Sequence, residues 1–140
     1  MVDDYVWLEN FNDPAVQAWT AAENRLSRAW LDRASARPRV AHRLEQLYAA
    51  TPANYSELQT RPGLIFAMKF LPPAQQPMLV TLRSPEYLAS ERVVLDPNQI
   101  GGRGATTIDF AVPSHDGSRV AVSLSENGSE DGTLSILDGL

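Results

Sequence analysis

The spacing of apolar residues changes near Tyr55, from a helical period to an alternating one. Before that point, apolar residues recur every three or four positions, which gives a helix one apolar stripe. After it they recur at every second position, which places them on one face of a pleated strand. The pattern predicts an α+β chain in which a helical part, 1–52, precedes a β part, 53–140, with the boundary near 51–55.

The first helix is predicted over 14–34, because Asp13 is a good N-cap and Pro14 suits the first helical position. Truncating a buried tryptophan costs about 3–5 kcal/mol, and the stripe of this helix carries two, so it needs a large covering partner. The segment 3–9 before it is expected to be an extended lead-in that Tyr5 and Trp7 anchor to a core. The stripe consists of Val16, Trp19, Ala22, Leu26, Ala29 and Trp30.

A second helix is predicted over 38–50. Pro38 separates it from the first, since the residue before a proline avoids the helical region, and Thr51-Pro52 ends it. The two helices are expected to form a helical hairpin with both apolar faces available for docking. The apolar face of the second helix consists of Val40, Leu44, Leu47 and Tyr48.

Short strands joined by turns are predicted for the rest of the chain. Asn-Gly and Asp-Gly tolerate the positive φ of tight hairpin turns, and the segment 101–104 is expected to be a flexible glycine-rich link. Such antiparallel meanders are typical of a sandwich, a barrel or a propeller, and their open edges indicate an incomplete domain. The predicted strands are 55–60, 64–70, 78–83, 93–95, 107–112, 119–124 and 134–136.

The alternation in the last three strands predicts which side chains share a face. Ile108, Phe110 and Val112 are expected to lie together on β-strand 107–112. Apolar residues at every second position of the next strands are expected to do the same. These are Val120, Val122 and Leu124, followed by Leu134 and Ile136.

Composition removes several classes of function. The net charge of −5 is mild and spread out, whereas a nucleic-acid or anionic-membrane partner needs a basic patch. No apolar run approaches the roughly 20 residues of a membrane-spanning helix. The absence of cysteine excludes disulfides, thiol catalysis and thiolate metal sites. The acidic start, 1–4, is unlike a signal peptide, so a cytoplasmic protein is expected unless a leader precedes Met1.

Ser114-His115-Asp116 is not a serine-hydrolase triad. A triad is a spatial chain of hydrogen bonds from serine to histidine to aspartate, and three consecutive residues point in different directions. They are expected to form a turn in which Ser114 and Asp116 cap backbone groups. No Gly-x-Ser-x-Gly nucleophile elbow occurs in the sequence, so no catalytic residue is assigned.

No cofactor or metal site is assigned either. His42 and His115 lie on different elements without ligand spacing, and a metal needs at least three ligands. Glu126, Glu130 and Asp131 could hold calcium, but a solvated turn is the preferred interpretation. No phosphate-binding helix follows the glycines of 101–104.

The order of several motifs resembles the N-terminal part of the prolyl oligopeptidase family of serine peptidases. That family opens with a stretch like Asp-Pro-Tyr-x-Trp-Leu-Glu, and segment 3–9 is similar apart from Asp4 in place of proline. The similarity continues through nearly the whole chain. The other matching segments are Trp19 to Asn24, Leu95-Asp96-Pro97-Asn98, Pro113 to Gly117 and Val122 to Glu130.

The resemblance implies a role for each part of the chain. In that family the first helices pack on a C-terminal α/β-hydrolase domain, and the strands begin a seven-bladed β-propeller that gates access to it. The chain is therefore expected to hold the helical arm and the first blade or blades. Its partners would be the missing hydrolase domain and the remaining blades.

The resemblance also implies an activity for the parent protein, namely hydrolysis of short peptides after proline. The family's Ser, Asp and His lie in the hydrolase domain, so the 140-residue chain alone is expected to be inactive. The alternative is a free-standing α+β interaction module without catalysis. A stable monomer that buries Trp19 and Trp30 internally would favour this alternative.

Overall fold

Two helices come first, as the apolar spacing predicts: α1 spans Pro14–Leu31 and α2 spans Arg37–Ala49. The carboxylate of Asp13 accepts a hydrogen bond from the backbone N–H of Ala15 at 2.8 Å, which confirms the predicted N-cap. The computed structural model describes residues 3–101 and 104–139. The centre of the predicted flexible link, 102–103, and the first two residues lie outside the described residues.

The chain divides into two compact units, Met1–Gln46 and Leu47–Leu140. The lead-in segment of the first unit was expected to be extended. It instead forms a short 3₁₀ helix over Val6–Glu9. Trp7 packs edge-on against Trp19, with ring centroids 6.0 Å apart. Tyr5 is exposed and does not anchor the segment.

The seven strands found in the described residues lie in the second unit and form two antiparallel meanders. The first sheet has four strands in chain order, and the second has three. Within the described residues, each sheet is open and has two free edge strands. The strands are β1 Asn54–Arg61, β2 Leu64–Phe70, β3 Met78–Leu82, β4 Arg92–Leu95, β5 Thr106–Pro113, β6 Arg119–Glu126 and β7 Thr133–Asp138.

The main core lies between these two sheets. Phe66 of the first sheet and Val120 and Val122 of the second are almost completely buried and belong to one cluster. Burying a side chain of this size contributes about 1.5–3 kcal/mol. Polar bonds also join the sheets, because the guanidinium of Arg61 donates to the carbonyl of Pro113 at 2.9 Å.

A β-bulge at Asp109 makes the predicted face of β5 wrong. Ile108 pairs with Leu124 and Phe110 pairs with Ser123, so Asp109 has no partner on β6. The extra residue reverses the alternation after Ile108. As a result, Ala111 lies in the core, whereas Phe110 and Val112 are exposed on the opposite face.

Leu134 and Ile136 of β7 share one face, as the alternation predicts, but that face is the one directed away from the core. The side chain of a strand residue shares a face with its directly paired neighbour. Leu134 pairs with Ser123, and Ile136 pairs with Ala121, so neither faces the side of Val122. Both are exposed.

Candidate functional site

The strongest candidate for a functional surface is the side of the second sheet that faces away from the core. Phe110 and Leu134 flank Ser123 in the register, and Val112 and Ile136 flank Ala121 one step further along. The four large side chains are exposed, from 48% for Phe110 to 61% for Ile136. We call these four residues and Ala121 the outer face. A contiguous exposed apolar patch of this kind marks an interaction site.

A polar cluster borders the outer face and holds the bulge in place. The carboxylate of Asp109 accepts hydrogen bonds from the hydroxyls of Ser123, at 2.8 Å, and Ser125, at 2.6 Å. Gly132 leaves room for it, because a Cβ at that position would come within 2.8 Å of an Asp109 oxygen. The carboxylate is thus satisfied by the protein itself, which indicates a structural role.

The first unit carries a second candidate surface along its helices. Val16 is the buried hydrophobic residue of this unit among the described positions. Trp19 is 43% exposed and Trp30 is 72% exposed, although the stripe they belong to is well formed. The part of the predicted α2 face that belongs to this unit, Val40 and Leu44, is exposed as well. Leu47 and Tyr48 complete the predicted face; they are also exposed but belong to the second unit.

Ser114, His115 and Asp116 form a capped turn. The hydroxyl of Ser114 donates directly to Asp116 at 2.6 Å, so His115 does not lie between them. The backbone N–H of Ser118 donates to the same carboxylate at 3.0 Å. The bond from Ser114, followed by the bonds from Ser118, lowers the pKa of Asp116 to about 2. Serine and aspartate therefore stabilise the hairpin, and no nucleophile–base pair is formed.

A partly buried charged cluster lies on the first sheet. Lys69 and Tyr55 both donate to the carboxylate of Glu91, each at 2.5 Å, and the Lys69 ammonium lies 5.6 Å from the Tyr55 ring centroid. The bond to Glu91 raises the pKa of Lys69 and of Tyr55. Burial opposes ionisation of Glu91, but the two donors outweigh it and lower its pKa. The groups satisfy one another, as structural ion pairs do.

Leu95-Asp96-Pro97-Asn98, one of the motifs that carried the resemblance, ties two loops together. The Asn98 side chain accepts from the backbone N–H groups of Gln75 and Gln76, at 3.0 and 2.9 Å. It donates to the carbonyl of Gln76 and to Asp96, both at 2.8 Å. The motif is therefore a loop clamp, and it makes no contact that indicates catalysis.

The described residues contain no group of three or more His, Asp or Glu side chains placed to hold a metal. Glu126, Glu130 and Asp131 are exposed and do not converge on a common point of that kind. His42 lies on α2, where its ring nitrogen is 2.9 Å from the side-chain amide of Gln46. Over the same part of the chain, neither helix has the length and apolar content to cross a membrane.

Sequence reasoning missed both the outer face and the Lys69–Glu91 pair. A hint of the bulge was present, because aspartate is depleted in strand interiors and Asp109 interrupts the otherwise apolar run 108–112. No comparable hint connects Lys69 with Glu91, since 22 residues separate them. Lys69 lies on β2 and Glu91 directly precedes β4, so the two meet only when β2, β3 and β4 pair in the first sheet.

A helical first part, two antiparallel meanders and exposed apolar faces define a partial β-propeller with a helical arm. The family model described as the prolyl oligopeptidase N-terminal β-propeller domain matches residues 1–139. The chain belongs to this family, which confirms the resemblance and the fold class predicted from its motifs.

Solved structures show the same architecture. A prolyl endopeptidase, studied for the role of inter-domain dynamics in catalysis and specificity, matches with a TM-score of 0.86 and 26% identity. That match covers 99% of this chain and 20% of the endopeptidase. Oligopeptidase B from Leishmania major matches with a TM-score of 0.74 and 21% identity, over 98% of this chain and 20% of that one.

Prolyl oligopeptidase B from Galerina marginata, bound to a 25mer macrocyclization substrate, has a TM-score of 0.75 and 22% identity. It is matched over 96% of this chain and 19% of its own length. The chain thus spans about one fifth of the length of these structures. No curated protein sequence matches it.

Proposed function

We propose that this chain is the N-terminal portion of a prolyl-oligopeptidase-like serine peptidase and supplies its helical arm and the start of its propeller. The family match carries the proposal, and the exposed apolar faces support it. A single family model covers 1–139, and both units within that range leave well-formed apolar faces uncovered. Exposed apolar area costs roughly 25 cal/mol per Å² relative to burial, so both faces favour a partner surface.

The two surfaces would have different partners in the parent protein. The stripe of α1, with Trp19 and Trp30, would pack on a C-terminal α/β-hydrolase domain. The outer face would pack against the next sheet of the propeller, because its exposed side chains resemble one side of a sheet-on-sheet core. Closure by further blades would also cover the open strand edges.

The parent would hydrolyse short peptides after proline, by acyl transfer to a serine nucleophile. The propeller would act as a size filter for those peptides, and the cytoplasm would be the place of action. In this proposal the triad lies in the hydrolase domain, and the present chain contributes scaffold and gate. Its capped Ser114 turn, in which serine bonds aspartate directly, cannot supply the required base.

A chimera tests this proposal. The matching fifth of the 26%-identical prolyl endopeptidase would be replaced by this chain. We expect the chimera to cleave a proline-containing chromogenic peptide, whereas the endopeptidase lacking that fifth and the 140-residue chain alone do not. A matched chimera with Phe110→Lys and Ile136→Lys should lose activity, because charges would be buried between sheets.

Two results would contradict the proposal. One is clear peptide turnover by the 140-residue chain by itself. The other is a folded chimera whose activity is unaffected by lysines on the outer face. The alternative, a free-standing interaction module, required tryptophans buried within the chain, and the exposure of Trp19 and Trp30 removes that support.

A further inference from the structure

The hairpin between β6 and β7 turns at an exposed Asn-Gly pair. Asn127 has φ +55° and Gly128 has φ +73°, and the N–H of Ser129 donates to the carbonyl of Glu126 at 2.9 Å. Positive φ at both central residues, closed by this bond, defines a type I′ turn. Asn127 and Gly128 are both exposed to solvent.

The peptide nitrogen that joins the two residues is accessible. Within residues 3–101 and 104–139, no acceptor binds the N–H of Gly128, and nothing lies within 4 Å of a Cβ built on that residue. Glycine itself has no side chain that would shield the nitrogen. Asn127-Gly128 is the one Asn-Gly pair in the sequence.

We propose that Asn127 is a site of spontaneous deamidation. The deprotonated backbone nitrogen of Gly128 attacks the Asn127 side-chain carbonyl carbon, and a C–N bond forms in a five-membered succinimide. The bond from that carbon to Nδ2 breaks, and ammonia leaves. Water then opens the ring at either carbonyl to give aspartate or isoaspartate, without any oxidation or reduction. Transient opening of the exposed hairpin supplies the geometry for attack, because surface turns open at low free-energy cost.

The two products affect the hairpin differently. Aspartate tolerates positive φ, so it keeps the turn and adds a negative charge close to Glu126 and Glu130. Isoaspartate carries the chain through its side-chain carbon and lengthens the backbone by one atom. The turn begins directly after β6, within the connection 127–132 that leads to β7. An extra backbone atom there should disturb the 126–129 turn and loosen the adjoining end of the pairing of β6 with β7.

The chain offers matched asparagines for comparison. Asn10 and Asn12 are exposed like Asn127, but Phe11 and Asp13 follow them. Asn98 is held by hydrogen bonds at both side-chain atoms, and Gln99 follows it. Deamidation should therefore be fastest at Asn127, slower at Asn10 and Asn12, and slowest at Asn98.

The test is peptide mapping by mass spectrometry after the purified 140-residue chain has stood in mildly alkaline ¹⁸O-labelled water. Label should enter at Asn127 about tenfold faster or more than at Asn10 and Asn12, because glycine leaves the nitrogen unhindered. Ser129→Ala should keep the fast rate, and Gly128→Ala should lose it. Equal rates at Asn127, Asn10 and Asn12 would overturn the proposal, and this comparison decides the matter even if Gly128→Ala does not fold.

Discussion

At the scale of single residues, the side chain of Asn98 connects the turn at 96–99 to the loop that contains Gln75 and Gln76. Asn98→Ala removes the acceptor for two backbone N–H groups and the donor for the Gln76 carbonyl. The two bonds with Gln76 are partly buried, and leaving buried polar groups without partners costs about 1–3 kcal/mol. We expect a loss of about 2 kcal/mol in the free energy of unfolding, measured in urea.

Gln99→Ala is the control for this prediction. Gln99 is exposed, and its side chain makes one longer bond, at 3.3 Å, to Asp96. Its removal should change the free energy of unfolding by about 0.5 kcal/mol or less. Equal losses in the two variants would contradict the clamp role of Asn98.

The lowered pKa of Glu91 predicts the direction in which the free energy of unfolding changes with pH. Because its pKa in the fold lies below the ordinary value of 4.5, its stabilising effect is present above that value and is lost as the pH falls through the folded pKa. Urea unfolding at a series of acidic pH values should therefore show a shallower decline for Glu91→Gln than for the unsubstituted chain.

Glu86→Gln serves as the matched control, since Glu86 is an exposed carboxylate in the same loop. Its profile should follow the unsubstituted chain. A Glu91→Gln profile that also follows it would mean that the bonds to Lys69 and Tyr55 do not stabilise the fold. Other carboxylates with lowered pKa values, such as Asp96 and Asp116, contribute equally to all three profiles.

At the scale of elements, two valines of the second sheet form a natural pair for testing the Asp109 bulge. Val122 is completely buried in the core, and Val112 is 54% exposed on the outer face. Valine→threonine introduces a hydroxyl at nearly constant volume, and burying it without a partner costs about 1–3 kcal/mol. We expect Val122→Thr to lower the free energy of unfolding by about 2 kcal/mol.

Val112→Thr should change the free energy of unfolding by about 0.5 kcal/mol or less, as exposed substitutions do. Without the bulge, simple alternation from Ile108 would place Val112 in the core. Comparable losses for Val112→Thr and Val122→Thr in urea unfolding would therefore contradict the register of β5 on β6.

Most elements could be predicted from the sequence because local signals mark their ends. Asp13-Pro14 starts α1, and the apolar alternation of 64–70 coincides with β2. Face assignment in the second sheet could not be predicted by alternation alone. One bulged residue, held by Ser123 and Ser125, reverses every later position of β5.

The candidate surfaces were predictable to different degrees. The stripe of α1 follows from spacing alone, and its need for a partner was expected from Trp19 and Trp30. The outer face was not predictable, because it depends on the bulge and on the pairing of β7. Contacts across long separations, such as Lys69 with Glu91, require the folded chain.

At the scale of the whole molecule, the two units differ in how much of their apolar surface they bury. Helices of this length are stabilised mainly by packing of their apolar face. The first unit buries little of its own apolar stripe, whereas the second unit has a core between its two sheets. The helical arm should therefore be the less stable unit when the chain is isolated.

Tryptophan emission from the purified chain tests this account most directly, because all three tryptophans, Trp7, Trp19 and Trp30, lie in the first unit. We predict emission close to that of an indole in water and efficient quenching by acrylamide. Trp30→Phe should remove the most exposed contribution, since Trp30 is 72% exposed. Strongly blue-shifted emission that resists acrylamide would show that the chain buries its own stripe, and would contradict a missing partner surface.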